Sequence, residues 1–221
     1  MRVVRASSLV FLLALFPLVS EAAAPAGESS PSRDIKSPSR QSGLILYRYK
    51  IDTFRSRISF TFRGLMLPYD GHFGVLEGEI FLGPGGEFRG AKADIVVHSA
   101  SVKTKDPGIL ANLRGQVLEV RRFPRIRLKV DSAKSDGEPV RQRREREWKV
   151  KARGKLLLHG VEREVPLRFR LTDTGAEIYV RGEGPLSLSR YNMSPPSVLL
   201  LVPGSDRVTV RVRLVAKPAP R

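Results

Sequence analysis

The 221-residue sequence contains no cysteine. It therefore cannot form a disulfide, and it lacks the thiol that an acylated bacterial lipoprotein requires. Stability has to come from a hydrophobic core alone. Hydrophobic residues make up 41% of the chain, which is enough for one sizeable core. With its ends discounted, a chain of 221 residues is too short for two domains. The composition therefore predicts a single folded domain.

The sequence also lacks the local patterns of metal sites and of common enzymes. Its three histidines, His72, His98 and His159, are far apart, and none stands beside a second ligand at metal-binding spacing. There is no nucleophile elbow, no paired-acid motif and no phosphate-binding glycine loop before a helix. The GPGGE segment at Gly83 to Glu87 precedes a strand and is interpreted as a turn. We expect no metal, no cofactor and no enzymatic activity.

Aromatic residues are few, at 7%, whereas the net charge is high, at +17. With few rings to stack on bases, the cationic strand faces fit nucleic acid poorly. The charge suits an anionic neighbour such as lipid head groups, and an anionic membrane surface is one candidate partner. Solubility alone explains the charge equally well.

No apolar run is long enough to cross a membrane as a helix. Arg2 and Arg5 precede an apolar run from Leu9 to Val19, which is well short of the roughly 17 to 25 residues that a spanning helix needs. Small residues follow it, as in a secretory signal. We predict a signal peptide over residues 1–22, a disordered Ser/Pro-rich linker over 23–43, and a periplasmic or secreted protein.

Alternating strands dominate the rest of the sequence. In KLLLHGVEREVPLRFRL, the residues Val165, Leu167, Phe169 and Leu171 share one face. Similar strands, joined mainly by hairpin turns, recur across residues 44–217, with 218–221 as a tail. One amphipathic helix is predicted between Asp106 and Arg122. About eight such strands can form a sandwich or a barrel, and their length favours an eight-stranded antiparallel barrel.

The shared apolar face predicts which residues point inward. Small residues there leave room for a guest, although a close-packed barrel is the alternative. The residues predicted to line a tunnel are Ile58, Phe60, Phe62, Ala91, Ala93, Ile95, Leu128, Ala152, Leu156, Leu167, Phe169, Ile178 and Gly182. Arg63, His72 and Arg190 flank apolar strand segments and are candidates to contact a polar head group.

The order of several segments resembles the YceI family of exported, lipocalin-like lipid-binding barrels. The matching segments are YKID (Tyr49–Asp52), GHFGVLEGEI (Gly71–Ile80), ASVKT (Ala100–Thr104), FPRIRL (Phe123–Leu128), GKLLLHGVEREVPL (Gly154–Leu167) and DRVTVRVRLVAK (Asp206–Lys217). The chain departs from the family at Arg63, where a histidine is frequent, and in the segments KDPGIL and SRYNMSPPSVLLLVPG.

The resemblance implies an elongated antiparallel barrel that carries a long isoprenoid or similar lipid outside the cytoplasm, without enzymatic chemistry. The departures surround the expected mouth and leave the identity of the lipid open. A cationic adhesion or scaffold module with a packed barrel is the alternative function. The sequence does not indicate an oligomeric state.

Overall fold

The computed structural model describes residues 46–63, 68–195 and 205–219. The predicted signal peptide (1–22) and linker (23–43) lie outside the described residues. The strands are β1 (Tyr47–Ile51), β2 (Arg57–Arg63), β3 (Pro68–Phe73), β4 (Leu76–Leu82), β5 (Lys92–His98), β6 (Val102–Thr104), β7 (Arg125–Ser135), β8 (Val140–Gln142), β9 (Glu145–Leu158), β10 (Val161–Asp173), β11 (Ile178–Ser187) and β12 (Arg207–Pro218).

Eight strands close into a ring in the order β1-β4-β5-β7-β9-β10-β11-β12, with β12 returning to β1. Every pairing is antiparallel. This confirms the predicted all-β barrel with one short helix. β2 pairs with the first half of β12 and β1 with its last residues, so the two strands form one interrupted wall. β3 and β6 extend that wall beyond the ring.

The helix is shorter than the sequence predicts. α1 (Pro107–Asn112) begins at Asp106, whose Oδ1 accepts a hydrogen bond from Ile109 N at 2.9 Å. A single wide turn of π-helix, Leu113–Val117, follows and is closed by Leu118 N donating to Leu113 O at 2.8 Å. Beyond it the chain no longer follows a helical path. Of the four apolar residues whose spacing predicts the helix, Ile109, Leu113 and Val117 are buried, whereas Val120 lies beyond the helical turns and is half-buried.

One end of the barrel is closed by Trp148. Its ring meets Phe88 edge to face, with the centroids 6.0 Å apart. The predicted glycine-rich turn forms a short 3₁₀ segment, Pro84–Gly86, against this ring. Gly86 has a φ of +83°, and a Cβ there would lie 2.5 Å from the indole. The turn therefore needs glycine both for its backbone conformation and for its contact with Trp148.

A charged cluster ties the turn between β1 and β2 to β11. Arg55 donates to Glu177 at 2.6 Å and to the Tyr179 hydroxyl at 3.1 Å, and that hydroxyl donates to Glu177 at 2.8 Å. Lys217 Nζ lies 3.1 Å from Asp52. The bond from Arg55, followed by that from Tyr179, holds the pKa of Glu177 below its usual value. The bond from Lys217 is the main reason that the pKa of Asp52 is also lowered.

This cluster predicts an acid-sensitive part of the stability. A carboxylate whose pKa is lowered by folding stabilises the native state above its unfolded-state pKa, and that contribution is lost as pH falls through the folded-state pKa. When the pH is lowered from about 6 to about 3, we expect the melting temperature to fall less for the Glu177→Gln variant than for the parent. Thermal melts across this range measure the effect. The exposed Glu138→Gln variant is the control, and parallel curves for Glu177→Gln and the parent would contradict the prediction.

Candidate ligand cavity

The barrel encloses a cavity of about 580 Å³. Its wall consists mainly of aliphatic and aromatic side chains from the strands of the ring. The volume falls within the roughly 300–1,000 Å³ typical of small-molecule sites. The barrel interior is therefore large enough to hold an apolar guest.

Most of the residues predicted to point inward line this cavity, because side chains alternate between the two faces of each strand. Those that line it are Ile58, Phe60, Phe62, Ala91, Ala93, Ile95, Leu128, Leu156, Leu167, Phe169 and Gly182. Gly71 on β3 makes room for one of these side chains, Phe60. The Phe60 ring lies so close to the Gly71 backbone that a Cβ would come within 2.3 Å of the ring. Glycine at this position lets the ring lie flat against the wall.

Ala152 and Ile178 were predicted to line the cavity but do not. Ile178 is only 1% exposed, and it lies at the closed end of the barrel, opposite Ala216 of β12. Ala152 is buried opposite Leu167 and Ala133, which do line the cavity. For Ile178 the reason is its height along the barrel axis, which strand alternation does not give, whereas Ala152 lies level with the lining residues. Both residues are therefore inward-facing parts of the wall and not parts of the cavity surface.

Two segments outside the strands also line the cavity. The sequence placed both near the expected mouth, but it did not indicate that their apolar side chains form part of the cavity wall. Leu113, Val117 and Leu118 come from the π-turn and the residue after it. Leu188, Tyr191 and Met193 come from the segment that follows β11. These side chains cover the end of the barrel opposite Trp148, which we call the mouth. The apolar spacing of the helical segment was the only sequence signal for this role.

One buried histidine joins the two segments at the mouth. His159 Nδ1 lies 3.2 Å from the Tyr191 carbonyl oxygen, and its Nε2 lies 2.9 Å from Glu119 Oε1. The imidazole also packs on Phe123, with ring centroids 4.3 Å apart. His159 adopts a φ of +51° in the tight turn between β9 and β10. The side chain thus ties this hairpin to the two segments that cover the cavity.

The barrel wall has a gap between β10 and β11. Their ladder runs from Asp173 and Ile178 to Phe169 and Gly182 and ends there. Toward the mouth, residues 161–168 of β10 pair only with β9, and 183–187 of β11 pair only with β12. Outward-facing residues of both strands line the cavity here, namely Pro166, Arg168, Glu183, Pro185 and Ser187. The cavity therefore reaches the surface between the two strands, through an opening that we call the β10–β11 slot.

Of the three head-group candidates, only Arg190 lines the cavity. Arg63 is exposed at the end of β2, next to the lining residue Phe62. His72 lies on the outward face of β3, opposite Ser59 and Lys103, where burial is the largest cause that lowers its pKa. Neither Arg63 nor His72 is among the described residues that line the cavity, and their role as head-group contacts stays a prediction. Arg168, which the sequence analysis did not select, lies at the slot.

Metal binding and membrane-spanning helices have no support in the part of the chain that the structure describes. No group of three or more His, Asp or Glu residues there could hold a metal ion. No helix within the same residues has the length and apolar character needed to cross a membrane.

The fold and the site together define a small antiparallel barrel with an internal apolar cavity. The family profile of the YceI-like domain matches residues 49–216, and the chain belongs to this family. No functionally curated protein matches the chain.

Solved structures share the fold at low sequence identity. Burkholderia cenocepacia BcnA has a TM-score of 0.64 at 18% identity, covering 76% of this chain and 99% of the other. A polyisoprenoid binding domain from Saccharophagus degradans has a TM-score of 0.61 at 18% identity, covering 77% and 98%. The Campylobacter jejuni YCEI protein has a TM-score of 0.54 at 16% identity, covering 68% and 85%.

Proposed function

We propose that this protein binds and carries an amphiphilic lipid with a long isoprenoid or similar chain inside its barrel, without enzymatic chemistry. The observation that carries the proposal is the apolar cavity of about 580 Å³. Family membership supports it, as does the structural likeness to a polyisoprenoid binding domain. The alternative adhesion module would have no need of such a cavity.

Burial of the hydrocarbon chain supplies the affinity. Each methylene removed from water contributes about 0.8 kcal/mol, so a long chain has a strong tendency to leave water for this cavity. The lining offers few polar groups with which to recognise one chain over another. Selectivity among lipids therefore depends on chain volume and on residues where the cavity reaches the surface.

We further propose that the protein acts outside the cytoplasm after a signal peptide is removed. The short apolar segment Leu9–Val19, with arginines before it and small residues after it, supports export. An anionic membrane surface would be a suitable donor or acceptor of the lipid, because the chain carries a net charge of +17.

Native mass spectrometry of the full chain, expressed in a bacterial host, tests these proposals together. We expect a mature protein that begins near Ala23 and carries one lipid of long hydrocarbon chain, which solvent extraction removes and identifies. Geranylgeraniol added to the extracted protein should restore a one-to-one complex. A protein that is free of lipid and also fails to bind geranylgeraniol would contradict the carrier function and favour the adhesion alternative.

A further inference from the structure

The β10–β11 slot is long enough for several carbons of a hydrocarbon chain to lie along it. It starts where the ladder ends, at Phe169 and Gly182. It stops toward the mouth where Arg163 Nε donates a hydrogen bond to the Arg190 carbonyl oxygen. Five residues of β10, Glu164 to Arg168, lie between these limits, which corresponds to about 16 Å at 3.3 Å per residue. The unpaired stretch is therefore long enough to accommodate part of an extended chain that lies sideways in the wall.

Two prolines keep the edges of this slot apart. Pro166 lies in β10 and pairs only with β9, whereas Pro185 lies in β11 and pairs only with β12. Proline has no N–H to donate, and within a sheet it occurs where its nitrogen faces an unpaired edge. Continuing the register from Phe169 and Gly182 would place these two prolines opposite each other. The sequence thus prevents the ladder from closing at this point.

Two arginines at the slot form no ion pair within the described part of the chain, although, after the hydrogen bond from Lys151, the charge of Arg168 contributes to lowering the pKa of Asp136. Among the described residues, the guanidinium groups of Arg168 and Arg190 form no ion pair, although both residues line the cavity. The nearby Glu183 is already engaged by Arg211 at 3.2 Å. Guanidinium groups bind phosphate and carboxylate oxygens through paired hydrogen bonds. Unpaired arginines beside an apolar cavity match an amphiphile whose head group is anionic.

A second place where the cavity reaches an outward-facing residue is Lys92, just beyond the last β5–β7 pair at Ala93. Among the described residues, Lys92 is the one outward-facing residue of β5 that lines the cavity, whereas five outward-facing residues line it along the β10–β11 slot. The slot is therefore the larger opening in the described wall.

From these observations, and resting on the proposed lipid-binding function, we propose that the β10–β11 slot is the portal through which the chain of an anionic amphiphile enters and leaves the cavity. Arg168 and Arg190 hold its head group at the outer rim. Loading through the slot lets the chain move directly from a membrane or a partner into the barrel, while the charged group stays in contact with water. The mouth, covered by the π-turn and the segment after β11, remains closed during the exchange.

Crosslinking the slot tests the portal, and the absence of native cysteine makes the labelling specific. In the Glu164→Cys/Ser187→Cys variant, which leaves both prolines in place, a short bis-maleimide should join the two edges, because the continued register places these positions opposite each other. The Lys129→Cys/Lys155→Cys variant is the matched control, because these exposed residues already pair across β7 and β9. Lipid-free proteins are mixed with geranylgeranyl phosphate or with geranylgeraniol, and the bound fraction is followed over time by native mass spectrometry.

We expect the crosslinked slot to load both compounds at least tenfold more slowly than the same variant without crosslinker. When crosslinking follows loading, release should slow to a similar extent. The control pair should load at the same rate with and without crosslinker. Equal loading rates for the crosslinked and free slot would overturn the portal. Failure of the uncrosslinked proteins to bind either compound would instead overturn the proposed function.

The rim arginines are tested at equilibrium. In the Arg168→Gln/Arg190→Gln variant, we expect affinity for geranylgeranyl phosphate to fall by about 10- to 100-fold, as the loss of charge-assisted hydrogen bonds would give. Affinity for geranylgeraniol should not change. Arg125→Gln/Arg181→Gln removes the same net charge from exposed positions that do not line the cavity, and it should bind both compounds as the parent does. An equal loss for both compounds, or an equal loss in the two variants, would overturn the assignment of the head-group site.

Discussion

Replacement of Gly184 by phenylalanine is expected to weaken lipid binding by roughly a hundredfold while the barrel stays folded. Gly184 lies on β11 and lines the cavity. A Cβ built on it meets no other atom within 4 Å, and its φ is outside the left-handed region that favours glycine. A larger side chain can therefore project into the space that the lipid would fill, without displacing the wall.

The expected effect is large because the ring competes directly with the ligand. Displacing about four methylenes from the cavity forfeits about 3 kcal/mol of burial, which is roughly a hundredfold in affinity. Titration with geranylgeraniol measures the loss, and circular dichroism with thermal melting establishes that the variant is folded. Gly184→Ala is the matched control, since it adds one methyl group and should bind nearly as tightly as the parent. A folded Gly184→Phe protein with the parent's affinity would show that the ligand does not occupy this cavity.

The other glycines on the inner face are less suitable for this test. At Gly182 a Cβ would lie 3.2 Å from both the Arg168 carbonyl oxygen and the Phe169 Cβ. At Gly154 it would lie 2.4 Å from the Lys129 carbonyl oxygen, next to the irregular pairing of β7. Substitution at these positions strains the wall before it fills the cavity. Loss of binding there could not be separated from loss of structure.

The inner face of most strands could be predicted from the sequence because inward positions follow a strict two-residue period. Val165, Leu167 and Phe169 all line the cavity, as alternation along β10 requires. The same period could not separate Ile178 from them, because its height in the barrel depends on the register with β12. Family resemblance supplied the ring topology that alternation alone leaves open between a sandwich and a barrel.

The openings of the cavity could not be predicted from the sequence either, because they depend on how the strands pair. The β10–β11 slot exists because one ladder stops at Phe169 and Gly182, and the end of a ladder is a property of two strands together. Arg168 and Arg170 both occupy outward positions on β10, so alternation does not distinguish them. Arg170 forms an ion pair with Glu147. Only the pairing of the strands shows which of the two lies beside the cavity. Pro166 and Pro185 are the sequence signals of the slot. They can be interpreted in this way only because the structure places them on facing edges of β10 and β11.

The histidine at the mouth yields the second prediction of large effect. His159 is buried, with 8% of its side chain exposed, and it contacts Glu119, Tyr191 and Phe123. Its φ of +51° restricts the choice of replacement, and asparagine tolerates this conformation better than most residues. The His159→Asn variant therefore keeps the turn but removes the imidazole. It leaves the Glu119 carboxylate and the Tyr191 carbonyl without their shared partner.

We expect His159→Asn to lower the free energy of unfolding by about 2 kcal/mol. This is the usual cost when a buried side chain loses two hydrogen bonds, one of them to a charged carboxylate. Urea denaturation at neutral pH measures it. His98 provides a matched control, because its Nε2 also lies 3.2 Å from a glutamate, Glu77, but the two side chains are 41% and 63% exposed. Exposed pairs contribute about 0–1 kcal/mol, so His98→Asn should cost much less. Similar losses in the two variants would mean that His159 acts as an ordinary surface residue. A loss confined to His159→Asn would show that the buried contacts of His159 with Glu119 and Tyr191 stabilise the fold.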